Sequence, residues 1–117
     1  MPVPVNIAEK LAGFSDHWAP RIIARYEGHE IRLAKLEGAF DWHSHTHDEL
    51  FLIVSGVVEI EFRDRTETLR EGELIVIPAG IEHRPNARHG EVAAMLLDPA
   101  NSPNTGDPAT ATIAVDA

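Results

Sequence analysis

The strongest constraint on this chain is a rhythm. From residue 21 onward, short β-branched or alternating runs at 21–26, 31–36, 50–54, 57–62, 67–69, 74–77 and 92–97 are punctuated by Gly28, Gly38, Gly56, Gly72, Gly80 and Gly90. Strands this short, with a glycine at nearly every break, predict a β-sandwich or barrel; βαβ units would need helical stretches between the strands. One short helix or helical turn is expected ahead of them, over residues 6–14, where Ile7, Leu11 and Phe14 fall at helical spacing behind an Asn able to cap. It should stop at Gly13. A chain of 117 residues has room for a single core. The organisation expected is an N-terminal helical segment at 1–19, a β-barrel at 20–97 and an extended tail at 98–117. The tail holds Pro99, Pro103 and Pro108 with no Lys or Arg, and could drape over the body through Ile113 and Val115.

Strand faces add a demand. In 57–62 the hydrophobic residues alternate with Glu59 and Glu61, so that strand has one wet face. In 50–54 both faces are apolar, because Leu50, Leu52 and Val54 point one way and Phe51 and Ile53 the other. Cover on the second side must come from another sheet, the N-terminal segment or a second subunit, which favours a homodimer.

Charge and cysteine content exclude several functions. Ten Lys plus Arg against nineteen Asp plus Glu give a formal charge of −9, so no basic surface is available for nucleic acid or an anionic membrane. With no cysteine, thiolate metal sites and thiol catalysis are ruled out, and any metal must use His, Asp or Glu. The longest apolar runs are too short to span a bilayer, and the start Met-Pro-Val-Pro-Val lacks the basic-then-apolar pattern of a leader, so a cytoplasmic protein is expected.

The chemistry concentrates in residues 42–49, Trp-His-Ser-His-Thr-His-Asp-Glu, where three of the seven histidines fall within five positions. In extended backbone, residues two apart share a face, so His43 and His45 can present their imidazoles together, with Glu49 on the same parity. His83 is the candidate to complete the set, since it follows Pro78-Ala79-Gly80, a turn that can return the chain beside the first histidines. Three imidazoles and a carboxylate suit a divalent first-row ion, namely iron, manganese, nickel, cobalt, copper or zinc, and suit calcium or magnesium poorly.

These residues resemble the two motifs of the cupins. Gly38 precedes His43-Ser44-His45, three residues lead to Glu49 and six more to Gly56; then Gly72, Pro78, Gly80 and His83 follow in order. Fifteen residues separate Gly56 from Gly72, similar to small single-domain bacterial cupins, and the wider pattern is similar to the group labelled mannose-6-phosphate-isomerase-like. The resemblance implies an all-β double-stranded β-helix, or jelly roll, with the metal inside. It departs from the family at two points: the expected Asn after His83 falls one place early, at Asn86, and Gly38 lies one residue close to the first His. That shift leaves a second register, His45, His47 and Glu49, although only His43, His45 and Glu49 set the carboxylate at the family's spacing.

Such a site leaves coordination positions for a small-molecule ligand or a polarised water. With one carboxylate against a divalent ion, an anionic or enolizable oxygen would be favoured. His47, Arg84, Trp42 and Phe51 are candidate contacts around it, and Phe40 and Phe62 candidate walls; His47, Arg84 or Tyr26 could supply an acid or base. No catalytic residue is assigned. For Trp42 and Phe51 core packing is the simpler expectation, and His17, His29 and His89 read as loop residues. Two functions follow: a metal-dependent enzyme, whether oxygenase, isomerase or lyase, or a non-catalytic module that senses or stores a ligand. A sugar-phosphate isomerase is disfavoured, because few Arg or Lys would point inward.

Overall fold

The fold was analysed in a computed structural model that describes residues 2–103 and 114–117. The chain order is α1 (Ile7–Ala12), β1 (Arg21–Tyr26), β2 (His29–Ala39), β3 (Glu49–Ser55), β4 (Val57–Phe62), β5 (Thr66–Arg70), β6 (Leu74–Ile77), β7 (His83–Pro99) and β8 (Val115–Asp116). Helix α1 begins where expected, with the Asn6 side chain accepting from the Glu9 backbone N–H at 3.0 Å, and is capped at Gly13. It buries no residue, so capping and its short length rather than packing define it. No helix among the described residues is long and apolar enough to cross a membrane.

The strands form a β-barrel, as the rhythm of glycines implied, of the jelly-roll kind that the resemblance implied, and β7 is its spine. Its first part pairs with β4, from Phe62 opposite His83 to Glu59 opposite Asn86, and its second part with β3, from Ser55 opposite Ala93 to Leu50 opposite Leu97. Its other edge pairs with β2, from Val92 to Pro99 and again at Asn86 and Ala87. Residues 83–91 were not expected in a strand, and the ladder explains why the pattern there was illegible. Between the Leu36–Val92 and Gly38–Ala87 pairs, one residue of β2 faces four of β7, an extrusion that carries Gly90 at φ 122°. The extrusion lies between the part of β7 that pairs with β4 and the part that pairs with β3. Gly56 between β3 and β4 is also required: its φ is 89°, and a Cβ there would meet the Glu91 carbonyl oxygen at 2.8 Å.

Alternation sorts the side chains. Ile53, Val58, Ile60, Leu36, Val92 and Ala94 point inward and are essentially fully buried. On β4, Glu59 and Glu61 face outward, paired with Arg88 and His89 and with Arg84 and Asn86 respectively, which is the wet face expected of that strand. The second apolar face of β3 is only partly covered. Leu50 and Leu52 stand level with Val76 and Leu74 of β6 on one side and with Leu97 and Met95 of β7 on the other, and Leu74 and Val76 are 58% and 50% exposed.

The C-terminal region departs from the expected tail at its start. Asp98 and Pro99 are the last residues of β7, and Asp98 is buried because it pairs with Arg32 inside the barrel. Val115 does attach to the body, as a short parallel strand beside Arg21, although it is itself exposed; Ile113 lies outside the described residues.

Candidate metal centre

Two segments of irregular backbone are stitched together at one end of the barrel. His43 and His83 exchange backbone hydrogen bonds at 3.0 and 2.9 Å, the Gly80 N–H donates to the His45 carbonyl at 2.8 Å, and the Ala79 N–H donates to the Asp48 carboxylate at 2.9 Å. The turn at 78–80 therefore returns the chain against the first histidines, as the Pro-Ala-Gly sequence implied.

The result is that His43, His45 and His83 each offer a nitrogen within 4.8 Å of the others, all three being buried. The ring orientation has a cause. Nδ1 of His43 donates to the Asp41 carbonyl and Nδ1 of His83 to the Ile81 carbonyl, both at 2.8 Å. A carbonyl can only accept, so the proton sits on Nδ1 and the Nε2 lone pair is left bare. Nε2 of His45 and of His83 are buried with no hydrogen-bond partner, a costly arrangement unless something electrophilic sits between them. Burial, opposed by the bond to Asp41, lowers the His43 pKa to about 4, so its imidazole is neutral and free to coordinate at neutral pH. These three imidazoles could hold a metal ion, and their chemistry fits a first-row divalent cation.

Glu49 opens β3 with its Oε1 3.5 Å from Nε2 of His45 and 3.8 Å from Nε2 of His83. Burial works to raise its pKa, but the His45 and His83 imidazoles beside it outweigh burial and hold it well below the ordinary carboxylate range. His47 is not among the three clustered imidazoles. It stacks on His45 at 4.9 Å, donates from Nδ1 to the Asp48 carbonyl and lies 3.9 Å from the Asp98 carboxylate.

Beside the histidines lies a cavity of about 40 Å³. Its walls are mostly apolar, with Ala34, Leu36, Phe51, Leu96 and Pro85 from the barrel and Pro20, Trp18 and Phe40 over them; its polar residues are His43, Glu49, Asp98 and Arg32. Trp18 stacks on Phe40 at 4.5 Å. It does so from a left-handed backbone, φ 58°, held by its N–H to the Lys35 carbonyl and its indole N–H to the Glu37 carbonyl. Of the candidate contacts read from the sequence, Phe51 lines this cavity. Trp42 and Arg84 do not: Arg84 is engaged by Glu61 on the outer face, and Trp42 lies under the Arg63 guanidinium at 3.7 Å. Tyr26 is 66% exposed at the end of β1.

Sequence reasoning missed the charged cluster behind the histidines. Arg32, 1% exposed, binds Glu30 through Nε and Nη2, lies 3.4 Å from Asp98 and donates to the Ser102 carbonyl at 3.0 Å. Burial, then the neighbouring Glu49 carboxylate, pushes the Asp98 pKa up to about 8. A signal did exist. Glu30 and Arg32 share strand parity with Ala34 and Leu36, as Asp98 does with Leu96 and Ala94, and charges on an inward parity mark a buried network.

Residues 29–98 match the family described as the Cupin domain. A cupin-2 domain protein of Shewanella frigidimarina is 42% identical, and its crystal structure superposes with a TM-score of 0.79 over 81% of this chain and 93% of that one. The uncharacterized protein YdbB of Bacillus subtilis is 38% identical over 81 residues, 68% of this chain and 66% of that protein, so the match spans just under two thirds of its length. Acireductone dioxygenase 2 of Arabidopsis thaliana is 38% identical over 55 residues, 43% of this chain and only 29% of the plant enzyme. With both histidine motifs on one barrel and a family match over most of its length, this chain belongs to the cupins.

Proposed function

We propose that this cupin is a metal-dependent enzyme acting on a small organic molecule, in the range of oxygenases, isomerases and lyases, with an oxygenase favoured by the likeness to acireductone dioxygenase. The observation that carries the reading is the pair of buried, unpartnered Nε2 atoms of His45 and His83 facing a common space. His43, His45, His83 and Glu49 would hold the ion, and the ion would supply Lewis-acid polarisation of a bound oxygen atom. The chain's own contribution is positioning. Asp41 and Ile81 carbonyls set the tautomers of His43 and His83, the Trp18–Phe40 stack lines the cavity, and the apolar walls limit water there.

Elemental analysis of protein purified without tag or chelator should find about one equivalent of a first-row metal per chain. Oxygen uptake is then followed across a panel of small hydroxylated carbonyl compounds. Metal without turnover on any of them, together with ligand-dependent thermal stabilisation, would favour the second reading, a sensing or storage module. That alternative has one observation behind it: the cavity is small, about 40 Å³.

The homodimer belongs to the same proposal. Leu50, Leu52, Leu74, Val76, Met95 and Leu97 form one apolar patch across β6, β3 and β7, while the N-terminal segment attaches over β1 and β2, where Phe14 lies against Lys35 and Arg21. Light scattering should give twice the chain mass for the wild type and the single-chain mass for Val76→Glu.

A further inference from the structure

We infer that Trp18 sets the size of the molecule that reaches the metal centre: the cavity meets solvent at the Trp18–Phe40 pair, and the indole is the wall that limits what passes. Trp18 is then the specificity-determining residue of the site, a role that rests on the cavity being the ligand site of the proposed function.

A path from the cavity to water has to run between wall residues that themselves reach the surface. Ten of the twelve residues around the cavity are buried, and only Trp18 and Phe40 are half-buried. Their rings stack at 4.5 Å and 14° from parallel, and the Phe40 ring meets the His43 imidazole edge to face at 5.3 Å. Entry past the indole therefore leads by way of Phe40 to His43 and Glu49, which line the cavity from the metal centre.

The two sides of this entrance are held differently. Phe40 follows directly on β2, and its N–H donates to the Pro85 carbonyl at 2.9 Å, continuing the pairing of β2 with β7. Trp18 belongs instead to the link between α1 and β1, laid across β2 from outside. Its N–H donates to the Lys35 carbonyl at 2.9 Å and its indole N–H to the Glu37 carbonyl at 3.0 Å, while His17 lies between the Glu91 and Glu37 carboxylates at 2.7 and 3.4 Å. The His17 contacts are exposed and therefore weak. A left-handed backbone, φ 58°, is unfavourable for so large a side chain, and here it turns the indole onto Phe40.

The volume gives the consequence. About 40 Å³ is room for roughly three waters. Ala34, Leu36, Phe51 and Leu96 are fixed in the wall by their strand ladders, so a bulkier molecule has to take the space of the indole. Trp18 is thus the wall residue that can be cut back without touching the barrel.

The test is a size series on one chelating head group. Acetohydroxamate and benzohydroxamate bind a divalent ion through the same pair of oxygens and differ in a methyl against a phenyl. Each is titrated into cobalt-loaded protein, followed by the visible absorption of the ion and corrected for affinity toward free cobalt. The wild type should bind acetohydroxamate at least about tenfold more tightly than benzohydroxamate, and Trp18→Ala should lose or invert that preference. Trp18→Phe, which keeps a ring against Phe40, should retain most of it. Equal binding of the two by the wild type, an unchanged preference in Trp18→Ala, or no hydroxamate bound by either protein would each overturn the inference. Metal-free protein gives a second reading: carbethoxylation of His43 by diethyl pyrocarbonate, located by mass spectrometry, should run severalfold faster in Trp18→Ala than in the wild type, with the exposed His29 as the unchanged reference. No acceleration at His43 also overturns the inference, whereas acceleration in a protein that takes up no cobalt defeats the metal enzyme and leaves the entrance standing. Should Trp18→Ala fail to fold, both readings are taken on Trp18→Leu, with the same outcomes deciding.

Discussion

At one end of the barrel interior, Ile53, Val58, Ile60 and Val92 are each at most 1% exposed and pack as hydrocarbon. At the other, the same strands carry inward His83, Glu49, Asp98, Arg32 and Glu30, equally buried and all polar. The contrast shows a division of labour along the barrel axis. Burial of apolar surface stabilises the first end directly, at roughly 25 cal/mol per Å². The second end has to satisfy each polar group it buries, and it does so incompletely, leaving atoms of His45, His47, His83 and Asp98 without a hydrogen-bond partner.

Four measurements would sharpen or break that division. The largest effect should come from Glu30→Ala, which takes from the buried Arg32 its closest partner; we expect a loss of about 3–5 kcal/mol in denaturant unfolding. A loss under ~1 kcal/mol would mean that the charged end bears little on stability. Ile60→Ala, in the hydrocarbon end, should cost about 3 kcal/mol from the cavity it leaves, while metal content at saturating ion stays at the wild-type level. His83→Ala should do the reverse: metal affinity falls about a hundredfold or more, read by competition with a chelator, while the far-ultraviolet spectrum is retained. If that variant binds metal as the wild type does, the three-imidazole centre is wrong.

The smallest effect is a pH slope in metal-free protein. Asp98, with a folded pKa raised from 3.8 to about 8, holds a proton that the unfolded chain has lost, so stability falls as pH rises between those values. His43, lowered from 6.5 to about 4, contributes the opposite sign, but only up to its ordinary pKa of 6.5. The lowered Glu59 and Glu61 have finished titrating below that. From pH 6.5 to 8 Asp98 is therefore the shifted group still titrating, with a slope of at most about 1.4 kcal/mol per pH unit. Melting temperatures across this window should decline for the wild type and stay level for Asp98→Asn.

How much of this was legible beforehand differs from residue to residue. The strands at 21–26, 57–62 and 74–77 coincide with observed elements because each alternates or runs apolar between turn residues. The first half of β7 was hidden, since Pro85, Asn86 and Gly90 read as loop and only pairing with β4 and β2 holds them extended. The histidines were legible because imidazoles two apart in extended backbone share a face, while the family's spacing favoured His43 over His47. Arg84 and Trp42, by contrast, were placed near the site through nearness in sequence, and strand alternation turned them outward.

Local sequence, through periodicity and turn residues, was enough to determine a small β-barrel, and the resemblance of its two histidine motifs to the cupins pointed to the type of barrel and to the histidines that cluster in it. Only the assembled barrel decided what surrounds that centre. Glu30, Arg32 and Asp98 come together across 66 residues of chain, and whether buried charges attract or repel a ligand depends on distances and partners that exist only after the strands have paired.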